Sequence, residues 1–182
     1  MPGKIVPAAK PRISAAEVET IVRGHKVTDQ VVLVGIRGYY ARTMGPGPGN
    51  DRGIYDDCIA LLSPTAYATF NANTDPSIYS PGIATLVPGV HRYRKGRHGI
   101  SRGAGYPALR PATKGEALPV TRDSQAGVSE GIAINIHRGS LNATSSRGCQ
   151  TIYPTQWMAF WTLTYAEMAR HAQLTIPYVL TA

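Results

Sequence analysis

Apolar and polar positions alternate in short stretches along most of this chain, and the stretches are separated by glycine- and proline-rich turns, a pattern that predicts many short β-strands. Val31 to Gly35, Tyr55 to Ser63, Ala68 to Ala72 and Thr175 to Leu180 each read as one strand. Pro81 to Tyr93 reads as strand, turn, strand, and Leu118 enters a further strand after the proline-extended Tyr106-Pro-Ala-Leu-Arg-Pro. Ile132, Ile134 and Ile136 alternate with small or polar residues, so Gly131 to His137 reads as a half-buried strand with a histidine at its end, preceded by a loop from Ser124 to Gly131. Two segments switch to helical spacing. Ser14 with Glu17 forms a capping box ahead of Val18, Ile21 and Val22, and Gly24 ends that helix. Pro154 opens a second helix running to about Gln173, with Trp157, Phe160, Trp161, Thr164, Tyr165 and Met168 on one broad face. That face suits a helix packed on a sheet better than a sugar-stacking platform.

The predicted class is therefore β-rich α+β, with a mixed β-sheet or sandwich, one N-terminal and one C-terminal helix. The 182 residues fit one domain, 14–182, behind a proline-interrupted arm, 1–13. With 19 glycines and 14 prolines the chain is rich in turns. Met44 to Gly53 is a connector: it lacks the Lys-Ser/Thr ending of a phosphate-binding loop. The balance of 19 Lys plus Arg against 11 Asp plus Glu gives +8, which biases the surface toward polyanions. Arginines crowd between Arg92 and Arg110, but glycines interrupt the run and no nucleic-acid module frames it, so a solvated loop is expected and no specific nucleic acid. No stretch reaches the length of a membrane span, and the first residues lack the apolar core of a signal peptide, so release by lysis, carriage in a virion, injection or earlier trimming of a leader is expected for anything acting outside the cell.

Chemistry concentrates around two residues. Twelve positions after His137, past a turn-prone run, Cys149 follows Gly148, and a loop between two strands can fold its thiol back onto the imidazole. A thiol within reach of an imidazole can become a nucleophile toward carbonyl carbon. Gly148 would let substrate approach backbone amides able to hold an oxyanion. Buried structural cysteines sit inside apolar runs, as Cys58 does in Ile54 to Leu62, so Cys58 is assigned to packing. The five histidines and two cysteines show no zinc-ligand spacing, so neither metal nor cofactor is expected. Adjacent Asp56 and Asp57 make a poor pair for glycosidase chemistry but can order a loop or an arginine. His98 lies in a polar loop from which it could line a cleft.

His137-x-Gly139 followed by Ser146-Arg147-Gly148-Cys149 resembles the signature of the L,D-transpeptidase (YkuD-like) catalytic domain, from about Thr85 to Thr155. The resemblance implies that fold, Cys149 as the nucleophile forming a thioester with a peptidoglycan stem peptide, His137 as its base, and Ser146 and Gly148 shaping an oxyanion hole. The loop between histidine and cysteine is shorter than is usual in that family. The family's arginine after the cysteine is missing, with Gln150 and Thr151 in its place. Recognition of the substrate then falls to Arg138, Gly139, Arg147, Gln150, Arg122 and His98. The whole-chain pattern, including Asn71-Ala-Asn-Thr-Asp-Pro, also looks like proteins of tailed phages and prophages. The expected function is a phage-type cysteine peptidase of peptidoglycan, a lysin or virion-associated enzyme working from the virion, or from the host cytoplasm after release to the wall. A cross-linking L,D-transpeptidase and a non-catalytic structural or wall-binding component of a phage particle are the alternatives. Partners would be peptidoglycan and other virion proteins.

Overall fold

Residues 5–40 and 51–182 are described by the computed structural model, so most of the Met44 to Gly53 connector lies outside the described residues. The first helix, α1 (Ala15–Gly24), starts where the sequence predicts: the Glu17 N–H donates to Ser14 Oγ at 3.3 Å and the Ser14 N–H donates to Glu17 Oε2 at 2.8 Å. Two orphan amides of the first turn are thereby satisfied. Val18 and Val22 are buried against Val32, Val34, Cys58, Ala60 and Val179. The first three of those strand residues show how each strand meets two layers, since β1 (Val32–Ile36) and β2 (Asp57–Leu62) send alternate residues to α1 and to a second core. Leu33, Ile59 and Leu61 point to that second core. Burial on both faces is why these segments read as continuous apolar runs. Cys58 is fully buried beneath α1, as its surroundings in the sequence predict.

The expected mixed sheet is present, and it closes on itself rather than pairing as a sandwich. The remaining barrel strands are β3 (Tyr67–Asn73), β5 (Gly89–His98), β6 (Tyr106–Pro111), β9 (Ile136–Arg138), β10 (Gln150–Ile152) and β11 (Thr175–Thr181). Their order is β1-β11-β5-β6-β9-β10-β3-β2, with β2 returning to β1. Two pairs, β1 with β11 and β9 with β10, are parallel, and the others are antiparallel. A separate sheet has the order β4-β7-β8, formed by β4 (Ala84–Leu86), β7 (Ala117–Arg122) and β8 (Val128–Ile132). The long helix α2 (Trp157–Arg170) follows a 3₁₀ turn at Pro154–Gln156. It buries Trp157, Phe160 and Met168 in the barrel core, where Phe160 meets Phe70 edge to face at 5.2 Å. Packing therefore accounts for that aromatic face. Among the described residues no helix is long and apolar enough to cross a membrane.

Three expectations change. The arginine-rich run is not a solvated loop: Arg92 to Arg110 is mostly the antiparallel pair β5 and β6, with a turn between them. The loop from Ser124 is shorter than expected, because pairing with β7 begins at Val128. Most consequential, Gly131 to His137 is two strands. Ala133 takes a positive φ of 57°, which breaks the alternation. Ile132 is left 72% exposed on β8, while Ile134 and Ile136 turn into the core. The break carries the chain from the small sheet into the barrel.

Arg37, just after β1, ties the layers together. Its guanidinium donates to Thr74 Oγ1 at 3.1 Å, Thr74 O at 2.9 Å and Leu86 O at 3.0 Å, and it lies 3.1 Å from the buried Asp75 carboxylate. Asp57 performs a related service by accepting the Gly38 and Thr74 N–H groups, and Asp56 accepts that of Asp51. Removing one partner of a buried pair costs about 3–5 kcal/mol. Arg37→Ala should therefore lower the unfolding free energy by roughly that amount in urea melts, and a loss below about 1 kcal/mol, the scale of an exposed ion pair, would show that the clamp is not structural.

Candidate active site

The parallel register of β9 and β10 places Gln150 beside Ile136 and Thr151 beside His137. Cys149, one residue earlier, consequently lies beside the Ala133–Asn135 break. The link from Gly139 to Cys149 is held by Tyr55, just before β2, and Ser77, just after β3. The Tyr55 hydroxyl donates to Ser140 O at 2.7 Å and Ala143 O at 3.1 Å. The Ser77 N–H donates to Ser146 O at 2.8 Å, and the Ser146 N–H returns to Ser77 Oγ at 2.7 Å. Ser146 then closes the turn before the cysteine: its hydroxyl donates to Cys149 O at 2.6 Å and accepts the Gly148 N–H at 3.0 Å. Gly148 has φ of 129°, and a Cβ there would come within 2.7 Å of Ala84 O. Only glycine fits. At Gly139 a Cβ would overlap the Tyr55 hydroxyl.

His137 is held by its Nδ1. That nitrogen lies 2.8 Å from Arg138 O and 3.0 Å from the Tyr106 hydroxyl. A carbonyl oxygen only accepts, so the proton sits on Nδ1 and the Nε2 lone pair is left for chemistry. The ring stacks on His98 with centroids 3.9 Å apart and planes at 14°. Asn135 Nδ2 donates to His98 Nδ1 at 3.2 Å, which fixes the second ring in turn. Burial, and then the neighbouring His98, lower the His137 pKa from its usual value to about 4, against the opposing effect of the bond to Arg138 O. The imidazole is neutral at pH 7.

Cys149 is half-buried. Its Sγ accepts the Asn135 N–H at 3.4 Å and donates to Ala133 O at 3.5 Å, so the thiol proton is directed at a carbonyl rather than at the imidazole. Burial pushes the thiol above its ordinary range, opposed by the Asn135 N–H and by the charge of Arg110. The resting pair is thus a thiol and a neutral imidazole, not the preformed thiolate that proximity alone suggests. Ala133 supports the sulfur from a strained backbone, and such strain concentrates at functional sites.

His137 and Cys149 line one cleft of about 890 Å³, together with His98, Tyr106, Gly99 and Ser101 from the β5–β6 side. The cleft opens where the barrel wall is thinnest: β6 and β9 share the single pair Leu109 with Ile136. Arg138, Gly139 and Arg147 line it as well. Two expected substrate residues do not. Gln150 is buried, donating to Gly148 O at 3.3 Å and accepting from the Tyr178 hydroxyl at 3.2 Å, because it is an inward position of β10. Arg122 is occupied on the small sheet by Gly82 O, Ser129 Oγ and Glu130 O. Ser146 and the Gly148 N–H satisfy each other, while the Arg147 and Cys149 amides on either side of Gly148 have no acceptor among the described residues.

Sequence reading missed Tyr106, Asn135, Tyr55 and Ser77. Asn135 carried a signal, a polar residue between two isoleucines that is buried in the fold. The other three act across long sequence separations with no local mark. Among the described residues, no three His, Cys, Asp or Glu side chains gather as a metal site.

The thiol environments set an order of reactivity. Cys58, sealed under α1 with its pKa pushed up to about 12, should resist iodoacetamide in the folded protein. Cys149 should be alkylated, with a rate still rising above pH 9 as the thiolate fraction grows. A rate already at its plateau below pH 7 would indicate a thiolate–imidazolium pair instead, and preferential labelling of Cys58 would remove Cys149 from the site. No family model matches this chain, and neither a curated protein nor a solved structure matches it.

Proposed function

We propose that this chain is a cysteine peptidase of peptidoglycan, built on a variant of the L,D-transpeptidase type of fold and cleaving stem-peptide amide bonds through an acyl thioester on Cys149. The observation that carries the reading is the shared cleft, lined by a half-buried thiol just ahead of β10 and by an imidazole held as the Nδ1–H form on its parallel neighbour β9. As substrate enters, Cys149 turns its thiol from Ala133 O toward His137. The imidazole Nε2 takes the proton as Sγ bonds to the acyl carbon. The tetrahedral oxyanion is received by the Arg147 and Cys149 amides, in a turn whose shape Ser146 and Gly148 maintain. Collapse breaks the carbon–nitrogen bond, and His137 gives its proton to the departing amine. Water, deprotonated by the same imidazole, then attacks the thioester and releases the carboxylic product and the thiol.

Arg138, Arg147 and Gly139 border the peptide's path, and Tyr106 positions the base through Nδ1. Use of the enzyme as a phage lysin or virion-associated peptidase accords with the phage-like pattern of the chain.

Purified sacculi and defined muropeptides, followed by mass analysis, test the reading. Loss of terminal D-alanine or splitting of dimers is expected, whereas new dimers would assign transpeptidation. Cys149→Ala should abolish the reaction, and His137→Ala should slow it by about 10²–10⁴-fold. Cleavage that survives Cys149→Ala, or its absence from the unaltered protein, would reject the proposal. A second expectation concerns pH. Because the base is active when neutral and its pKa is about 4, kcat/KM should hold from pH 7 down to about 5 and fall through pH 4. An acid limb near 6.5 would contradict a base whose pKa is lowered by burial and by His98 as that of His137 is.

A further inference from the structure

The turn between β5 and β6 separates two clefts. Gly99, Ser101 and Gly105 face the Cys149 cleft, while Ile100 faces a second cleft of about 590 Å³, lined by neither Cys149 nor His137. The second carries Arg94, Arg97, Arg110 and Lys114 against the one carboxylate of Glu116. Arg94 and Arg110 are direct cross-strand neighbours, an arrangement in which like charges repel. Gly96 makes room for them: a Cβ at that position would come within 2.9 Å of Arg110 Cγ, so the arginine stem lies over the glycine. Arg97 is engaged by Ala104 O and Gly105 O, and Arg110 donates to Arg97 O at 3.3 Å. Among the described residues, Arg94, Arg110 and Lys114 have no acidic partner, and Glu116 accepts the Thr113 N–H at 2.8 Å. Like charges set side by side in a concave wall, with no acid to relieve them, cost the empty fold stability and concentrate anions from outside. An anion bound there would restore what the repulsion takes away.

The lining also narrows the chemistry of that anion. A carboxylate brings a single charge and suits one guanidinium fork. A phosphate monoester brings roughly −1.5 to −2 charge and three strong acceptor oxygens, enough to be shared between the paired arginines and the lysine. Bare inorganic phosphate would use the cations alone, yet the same lining holds exposed apolar surface. Ile100, from the β5–β6 turn, is 58% exposed and Ile132, from the end of β8, is 72% exposed, and Pro111 stands with them. An apolar group esterified to the phosphate would cover those side chains while its oxygens meet the cations.

We propose that the cleft of Arg94, Arg110 and Lys114 is a binding site for a phosphate monoester bearing an apolar substituent. The site is independent of the peptidase reading, since it shares neither Cys149 nor His137 with it. Phenyl phosphate, inorganic phosphate and benzoate are titrated into the unaltered protein by calorimetry in a phosphate-free buffer. Because a lipid headgroup can carry the same phosphate, phosphatidylcholine vesicles with and without phosphatidate are sedimented with the protein in parallel. Phenyl phosphate should bind about tenfold or more tightly than benzoate, the scale of one further hydrogen bond to a charged group. It should also bind more tightly than inorganic phosphate, and at saturation it should raise the melting temperature. Arg94→Gln with Lys114→Gln should remove both effects, whereas Cys149→Ala, or Arg138→Gln with Arg147→Gln on the neighbouring cleft, should keep them. The Arg94/Lys114 variant should itself melt at or above the parent temperature, because a repulsive pair is relieved, so lost binding would not reflect unfolding. Binding to phosphatidate vesicles but not to the soluble ester, with the same dependence on Arg94 and Lys114, would support the site and assign its phosphate to a lipid. Benzoate or inorganic phosphate binding as tightly as the ester, no binding of ester or phosphatidate, or binding that survives Arg94→Gln with Lys114→Gln would each overturn it.

Discussion

Everything at the proposed site depends on the parallel pairing of β9 and β10 inside a closed wall. Parallel neighbours need a crossover, and here the crossover is the compact Gly139 to Cys149 link rather than a helix. Because the two strands run the same way, the histidine within one and the cysteine before the other arrive from different directions at one opening. The three-residue length of β9 leaves only one pair with β6, and the cleft occupies that thin seam. A longer β9 would close the wall over the imidazole. The clamps from Tyr55 and Ser77, and the lack of room for a side chain at Gly139 and Gly148, keep the crossover short and in register.

The electrostatics follow from that placement. An imidazole almost wholly buried at the seam cannot hold a proton at neutral pH, and a sulfur tucked against Ala133 O and Asn135 N–H holds its own. On the proposed reading the pair would work as a general base with a neutral nucleophile, closer in logic to a serine hydrolase than to a cysteine enzyme with a stored thiolate. On that reading the thiol stays quiet until a substrate displaces its contact with Ala133 O. The stacked His98 reinforces the arrangement, since a second cation at 3.9 Å would repel the first. Positive charge is instead gathered one cleft away, on the β5–β6 pair.

Local rules carried the sequence far. The capping box at Ser14, the doubly buried runs of β1 and β2, and the aromatic face of α2 are each set by neighbours within a few positions, so periodicity exposes them. The closure of the sheet was hidden because it depends on β11 inserting beside β1, and no local pattern encodes that partner. The break at Ala133 was hidden for another reason: an alanine at positive φ leaves the isoleucine alternation intact in the sequence while the chain changes sheets. The same break explains the mixed result at the site. His137 and Cys149 were legible as a pair, whereas Gln150 and Arg122 were nominated by nearness in the chain and proved to face the core and the small sheet. Tyr106, Tyr55 and Ser77 were invisible because they act only through long-range contacts.

The central claim is that Cys149 carries the acyl group. Mixing the protein with a disaccharide-tetrapeptide muropeptide, quenching in acid within seconds and mapping the digested chain by mass spectrometry measures this directly. The account predicts an acyl adduct on the peptide containing Cys149, labile to neutral hydroxylamine and missing from His137→Ala protein at the same time point. Steady product formation with no adduct at Cys149, or an adduct on another residue, would contradict it.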